Sequence, residues 1–247
     1  MTRSGLDHFP LREFGLSNSD CELLNNNTIV ITKWNWEYGS SHAFQRSALE
    51  LVQNTPGLRI LICTSHPEVL THGRGLQRAK PGETYHLTPF SRDDHPNLPY
   101  PFFQIERGGG LTFHHPGQFI FYPIVKLNPG VLGLSKMMDN ILDFTISVLE
   151  SWGIHDLHHK NKLLGLWHGD SEKIASMGIG IEKLTTFHGM ALNLKKNDHM
   201  KSSLKNLNPC GLQVDTYVSV EELIALPENV HEDFRGQFLK RIKDEWK

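Results

Sequence analysis

Apolar residues recur at helical spacing in three segments of the chain. Phe44, Ala48, Leu51 and Val52 share one face, and Pro56-Gly57 ends the helix they predict. Met138, Ile141, Leu142, Thr145, Val148, Leu149 and Trp152 line one face of a longer helix that starts near Ser135 and stops at Gly153. Val230, Phe234, Phe238, Ile242 and Trp246 stand at successive fours in a last helix, and Ser219 with Glu222 makes a capping box for a short one over 220–226.

Strand patterns fill the intervals. Leu58 to Thr64 reads as a buried strand; a strand through Phe102 to Glu106, a glycine-rich turn and a strand from Gln118 to Leu127 follow. Leu163 to His168, Lys173 to Ile181 and Leu184 to Leu194 predict three consecutive strands, the first two joined at Gly169-Asp170 as in a meander. Residues 74–101, rich in Pro, Arg, Asp and His, predict a long surface loop, and the stretch to Thr28 reads as an extension or a loosely packed edge. Meandering strands with helices inserted between them predict a single α+β domain.

Composition narrows the function. The chain has 247 residues, 38% hydrophobic and 21% charged, enough to bury a core and unlike disordered or fibrous chains. Its longest apolar runs, such as Phe119 to Val125, are too short to span a bilayer, and Met1 to Pro10 lacks the apolar core of an export signal, so no membrane association is expected. A net charge of −2 creates no global basic field, which argues against nucleic acid as a partner. Three widely spaced cysteines without a Cys-x-x-Cys pair fit a reducing, cytoplasmic setting in which one thiol stays available. Fifteen histidines raise the question of a metal. His155, His158 and His159 could put two imidazoles on one helical face, but they follow the Gly153 stop in a polar, lysine-rich stretch. They read as solvated loop residues, and no metal is expected.

Four segments carry candidate chemistry. In Arg107-Gly108-Gly109-Gly110, three side-chain-free positions let backbone N–H groups approach a ligand, and Arg107 could bind a phosphate or anchor the loop; a plain turn is the simpler alternative. Lys173 stands in a small, apolar run, where its ammonium would be partly desolvated or would merely guard a sheet edge. Gly189-Met190-Ala191 could line an apolar slot beside His188, itself either functional or structural. Cys210, between Pro209 and Gly211, is held on a bend that can present its sulfur, against the alternative of a small buried hydrophobe. An ammonium near a thiol lowers its pKa by about 1–3 units, enough to make thiolate the main form at neutral pH.

In order along the chain stand Thr71-His72-Gly73-Arg74, Arg107 to Gln118, Gly165-Leu166-Trp167, Lys173 to Gly178, His188 to Asn193 and Pro209-Cys210-Gly211. Together they resemble the octanoyltransferases of lipoate biosynthesis, relatives of the lipoate and biotin protein ligases, across roughly Trp34 to Ser219. The resemblance implies a mixed, largely antiparallel sheet flanked by helices, with residues 1–33 as an amino-terminal extension or edge and 34–247 as the acyltransferase catalytic domain. It implies octanoyl transfer from acyl carrier protein to a lysine of lipoyl domains, in 2-oxoacid dehydrogenases or the glycine-cleavage H protein, with no cofactor. Cys210 would carry the acyl thioester and Lys173 would lower its pKa. Substrate contacts carry over to Arg107, Gly108, Gly109, Gly110, Leu111, Thr112, Phe113 and His114, to Ser176, Met177 and Gly178, and to Gly189, Met190 and Ala191. Where the family usually has Gly this chain has His115, which could narrow the pocket or change its charge. The alternatives are an ATP-dependent lipoate or biotin ligase on the same fold, which has no need of Cys210, and a non-catalytic acyl-binding relative.

Overall fold

A computed structural model describes residues 9–75, 98–160, 164–199 and 214–246. Strands β1 (Cys21–Asn25), β2 (Thr28–Lys33), β3 (Arg59–Thr64), β7 (Gln118–Ile124), β11 (Thr185–Asn193), β10 (Glu172–Glu182), β9 (Gly165–His168) and β8 (Leu157–His159) form an eight-stranded sheet in that spatial order. Within it β2 and β3 run parallel and every other neighbouring pair is antiparallel. A second sheet holds β4 (Val69–Gly75) between β5 (Phe102–Gln104) and β6 (Gly109–His114). The result is the mixed, helix-flanked α+β arrangement that the sequence led us to expect.

Both faces of the large sheet are covered, which is why its inner strands read as unbroken apolar runs instead of alternating ones. Leu61 and Cys63 of β3, Phe119 and Phe121 of β7, and Met190 and Leu192 of β11 pack to one side. There they meet helix α2 (Leu134–Ser151) and the C-terminal helix (Val230–Glu245), through Ile141, Val148, Phe234 and Phe238. Ile60, Ile62, Ile120 and Tyr122 face the other way, against helix α1 (Tyr38–Asn54) through Phe44, Ala48 and Val52. Side-chain alternation along a strand thus builds two cores from one sheet.

Helix ends follow the local chemistry. The Glu37 carboxylate accepts from the N–H groups of Gly39 (2.9 Å) and Ser40 (2.7 Å) at the start of α1. Gly153, at φ 91°, follows the end of α2, and the Ser219–Glu222 capping box opens the short helix Val220–Leu223, shorter than expected.

Several elements differ from the sequence expectation. Residues 21–33, read as part of an extension or edge, supply β1 at the sheet margin and β2 inside it, with Val30 and Ile31 fully buried. The glycine-rich turn runs into β6: Gly109, at a φ of 84° that glycine adopts freely, opens the strand opposite Gly75 of β4. His158 and His159 lie in edge strand β8, not in a loop, paired with Trp167 and Leu166 of β9. The long loop expected over 74–101 falls largely on residues 76–97, outside the described residues.

Candidate active site

The small sheet and the β10–β11 hairpin face each other across a cavity of about 780 Å³, its open mouth included. Arg107, Gly108, Gly109, Gly110, Thr112 and His114 wall one side; Lys173, Ser176, Met177 and Gly178 of β10 and Gly189, Met190 and Ala191 of β11 wall the other. Segments distant in sequence therefore meet because β6 packs against the hairpin. Leu111 and Phe113 alternate with these positions along β6 and point instead into a small apolar cluster with Leu70 and Tyr217. Cys210, with Pro209 and Gly211, lies outside the described residues.

Arg107 is buried, and its guanidinium is held by the protein itself. Nη2 donates to Thr71 Oγ1 at 2.9 Å and to Thr71 O at 3.1 Å, and Nη1 donates to Gly108 O at 3.0 Å. Of the two roles open to it, anchoring the glycine stretch is the one these contacts serve. Gly178 permits this approach: a Cβ there would stand 2.9 Å from Gly108 O and 3.1 Å from Arg107 Cδ. The Gly108 N–H donates across the same junction to Ile179 O at 3.2 Å.

A buried polar network continues from this anchor. Thr71 Oγ1 lies 3.4 Å from His114 Nε2, and Gln118 Oε1 accepts from His114 Nδ1 at 3.0 Å. Gln118 Nε2 donates to Asn193 Oδ1 at 2.9 Å, Asn193 Nδ2 donates to Val218 O at 3.3 Å, and the Val218 N–H donates to Lys173 O at 3.1 Å. Five of the six sequence motifs hold members of this chain or abut it, so the motif residues serve one another as hydrogen-bond partners. Burial keeps the His114 imidazole well below its usual range, with the charge of His66 next in effect, so it stays neutral.

Lys173 is 3% exposed. Its Nζ lies 5.6 Å from the ring centre of Trp167 and 6.0 Å from that of Tyr217, within cation–π range of both. Its backbone bridges to Tyr217, and β10 bulges between Lys173 and Ala175 where it passes β9. Gly165 makes room for the stem: it sits at φ 149°, and a Cβ would come 2.1 Å from Ala175 O and 3.0 Å from Lys173 Cε. The Gly-x-Trp motif therefore acts on the lysine, the glycine by being small and the tryptophan by offering its ring.

Four cavity residues escaped the candidate set. Tyr38, Tyr122 and Leu164 carry no motif signal of their own, and His188, suspected of lining the slot, was left out of the substrate-contact set. His188 is 1% exposed and adopts a left-handed φ of 56° within β11, an uncommon conformation for a side chain other than glycine. Burial pushes its imidazole down to about 4, against the opposing pull of Glu106. Glu106, faced by His188 foremost and then by His42, is held down at about 2. The His188 Nε2–Glu106 Oε2 separation of 3.9 Å makes that pair a long contact, not a hydrogen bond, whereas His42 Nε2 stands 3.2 Å from the same oxygen.

His115 does not enter this cavity, contrary to the expectation that it could narrow it. Strand alternation turns it away from His114's side, into a smaller hollow with Asn193, Lys195 and Ser219. Its Nδ1 accepts from the Gly117 N–H at 3.1 Å, and burial pushes the imidazole down to about 4.

Comparison with known proteins yields a consistent set. Residues 37–243 match the model of the lipoyl protein ligase A/B catalytic domain. The chain is 30% identical over 203 residues to an octanoyltransferase of Alkaliphilus metalliredigens, covering 82% of this chain and 88% of that one. It is 30% identical over 191 residues to a chloroplastic octanoyltransferase of Arabidopsis thaliana, covering 77% and 62% of the two chains. Among solved structures, an ATP-bound lipoate-protein ligase A superposes with TM-score 0.62 at 10% identity over 88% of this chain and 84% of that one. The bipartite lipoate protein ligase of Thermoplasma acidophilum gives 0.61 at 10% identity, over 88% and 82%. At such identities the structural likeness speaks for the fold alone.

Proposed function

Because the chain belongs to the lipoyl protein ligase A/B catalytic domain family, we propose that it is an octanoyltransferase, moving an octanoyl group from acyl carrier protein onto a lysine of a lipoyl domain. The observation that carries this reading is Lys173, a buried ammonium in the wall of a cavity lined by glycines and apolar side chains together with Arg107, His114 and His188. Its backbone is bridged to Tyr217, seven residues after Cys210 in the chain. That short sequence separation is the support for pairing the two residues.

In this scheme the Cys210 thiolate, favoured by the Lys173 ammonium, attacks the carbonyl carbon of the octanoyl thioester. Backbone N–H groups at the cavity wall stabilise the oxyanion, and collapse expels the phosphopantetheine thiolate, which takes up a proton. The deprotonated amine of the acceptor lysine then attacks the Cys210 thioester. An amide forms, the cysteine thiolate is released, and the amine's surplus proton passes to solvent or to a basic group of the site. Thioester exchange is near balance and amide formation is downhill, so the scheme calls for no nucleotide. Arg107 to His114 (with Leu111 and Phe113 acting through packing), Ser176 to Gly178 and Gly189 to Ala191 hold the acyl group and pantetheine arm. The acceptors are lipoyl domains of 2-oxoacid dehydrogenases or the glycine-cleavage H protein, and the setting is the cytoplasm. Among the described residues no helix is long and apolar enough to cross a membrane.

Incubation with octanoyl-acyl carrier protein should leave a hydroxylamine-labile adduct on Cys210, located by peptide mass spectrometry. Full turnover by a Cys210→Ser variant would refute the scheme. The rival is an ATP-dependent ligase, a chemistry the fold also supports in the ATP-bound ligase it resembles. Lipoate- or octanoate-dependent pyrophosphate exchange with ATP would establish that rival.

A further inference from the structure

The polar face of α1 holds something the acyl-transfer scheme does not use. Tyr38, Ser41, His42 and Gln45 recur at i, i+3, i+4 and i+7, so they share the face turned towards β11. The His188 N–H donates to Gln45 Oε1 at 2.9 Å, which fixes the helix against that strand. Yet Tyr38 Oη, Ser41 Oγ, Gln45 Nε2 and His188 Nε2 are all buried without a hydrogen-bond partner. A buried polar atom left unpaired costs about 1–3 kcal/mol, and of these four His188 Nε2 is the one whose chemistry can bind a metal ion.

We propose that His42, Glu106 and His188 form a binding site for a divalent transition-metal ion of the zinc class. Each side chain offers one ligand atom, and the three atoms lie within 4.8 Å of one another. Two imidazoles with one carboxylate are a donor set that suits zinc, with a fourth position left for water. Donors bound at about 2.0–2.2 Å stand about 3.3–3.5 Å apart around a tetrahedral ion. His42 Nε2 and Glu106 Oε2 are already at 3.2 Å, while His188 Nε2, at 3.9 Å from that oxygen, has to close by a few tenths of an ångström. His188 Nε2 is the atom that points most directly to a ligand, because it is buried, unpaired and aimed at this carboxylate. His42 and Glu106 are only half-buried, which leaves the ion a route in. The nearby guanidinium groups make their hydrogen bonds elsewhere, Arg46 to Glu182 at 2.9 Å and Arg107 to Thr71 at 2.9 Å, although the charge of Arg46 is felt at Glu106.

The site would join three parts of the chain, since His42 lies on α1, Glu106 between β5 and β6, and His188 on β11. An ion there pins α1 to both walls of the cavity. The proposal stands apart from the acyl-transfer reading, because nothing in it requires Cys210.

The test is Zn²⁺ titration of the chelator-stripped full chain by calorimetry, with Co²⁺ substitution followed by visible absorption. The expected result is one equivalent bound per chain, a rise in Tm on Zn²⁺ addition, and Co²⁺ ligand-field bands of a four- or five-coordinate nitrogen–oxygen site. His42→Ala and Glu106→Gln should weaken binding at least about tenfold, while His159→Ala, at a separate histidine–carboxylate cluster, should leave it unchanged. Wild-type affinity in His42→Ala, or no binding by the wild type at millimolar Zn²⁺, would overturn the site. X-ray absorption of the zinc-loaded wild type needs no variant: two imidazoles in the ion's shell support the assignment, and a sulfur neighbour refutes it.

Discussion

The two faces of the eight-stranded sheet are built from the same strands yet carry opposite kinds of burial. Towards α2 and the C-terminal helix nearly everything is apolar, with Phe119, Phe121, Phe144, Phe234 and Phe238 in mutual ring contact. The one buried polar residue of α2, Thr145, returns its hydroxyl to Ile141 O at 2.9 Å. Towards α1 the burial is mixed. Phe44, Ala48 and Val52 form the apolar part of the helix, while Tyr38, Ser41, His42 and Gln45 form a polar stripe whose first member, Tyr38, lines the cavity. One face spends its buried area on stability, and the other gives part of it to groups that need partners. The difference teaches where to look for function: where buried polar atoms gather, not where the core is densest.

The sharpest way to break this contrast is to substitute one residue on each side. Lys173→Met, on the cavity side, should lower the rate of acyl transfer by a factor of about 10²–10⁴, the range general acid–base and charge effects supply. Steady-state transfer to a lipoyl domain reads it, with circular dichroism confirming the fold. Phe238→Ala, on the apolar side, should cost about 3–5 kcal/mol of stability in a urea melt. The protein that stays folded should turn over at close to the wild-type rate. A Lys173 variant with wild-type turnover, or a Phe238 variant whose folded fraction is inactive, would erase the division of labour.

Gly165→Ala tests the border between the two. The new Cβ meets Ala175 O and Lys173 Cε at a left-handed φ, so the substitution should cost about 1–3 kcal/mol and also lower kcat by displacing the lysine. Loss of stability with kcat intact would mean that the lysine's position does not depend on this glycine.

The pH dependence of stability sharpens the contrast further. His66, on the α1 side, donates from Nδ1 to Trp36 O at 2.7 Å and accepts from Tyr122 Oη at 2.9 Å, and burial pushes it down to about 4. The native state thus binds its proton later than the unfolded chain, which takes it up near 6.5. Stability should be complete above about pH 6.5, fall as pH drops towards about 4, and level off below, with a slope of at most about 1.4 kcal/mol per pH unit for one histidine. His114 and His115, also pushed down by burial, add in the same direction. Urea melts from pH 7.5 to 4.5 should show this slope reduced, not abolished, in His66→Gln. An unchanged slope would remove His66 from the account.

Much of this organisation was legible in the sequence because the two-sided sheet prints itself as apolar runs. β3, β7, β10 and β11 were visible for that reason, as were α1, α2 and the C-terminal helix through their apolar stripes. β4 and β6 were not: they carry His72-Gly73-Arg74 and Gly109-Gly110, which look like loop until another backbone pairs with them. Leu157–His159 is too short and polar to show a period. The polar stripe of α1 was invisible because a search for apolar periodicity passes over a face made of Tyr, Ser, His and Gln. Motif order brought Arg107, Lys173 and Gly189 into one set, and the fold places them around one cavity. The partners that fix them, such as Thr71 for Arg107 and Trp167 for Lys173, become evident only once strands are paired.

The measurement that bears most directly on the central claim is the alkylation rate of Cys210 as a function of pH, read by peptide mass spectrometry in wild type and in Lys173→Met. The account requires wild-type Cys210 to react rapidly at neutral pH, with its midpoint about 1–3 units below that of an ordinary thiol, and the variant to need alkaline pH for the same rate. Cys63, fully buried with its thiol pushed up by burial, should stay unmodified in both. Identical pH profiles for Cys210 in the two proteins would contradict the claim that Lys173 prepares that sulfur.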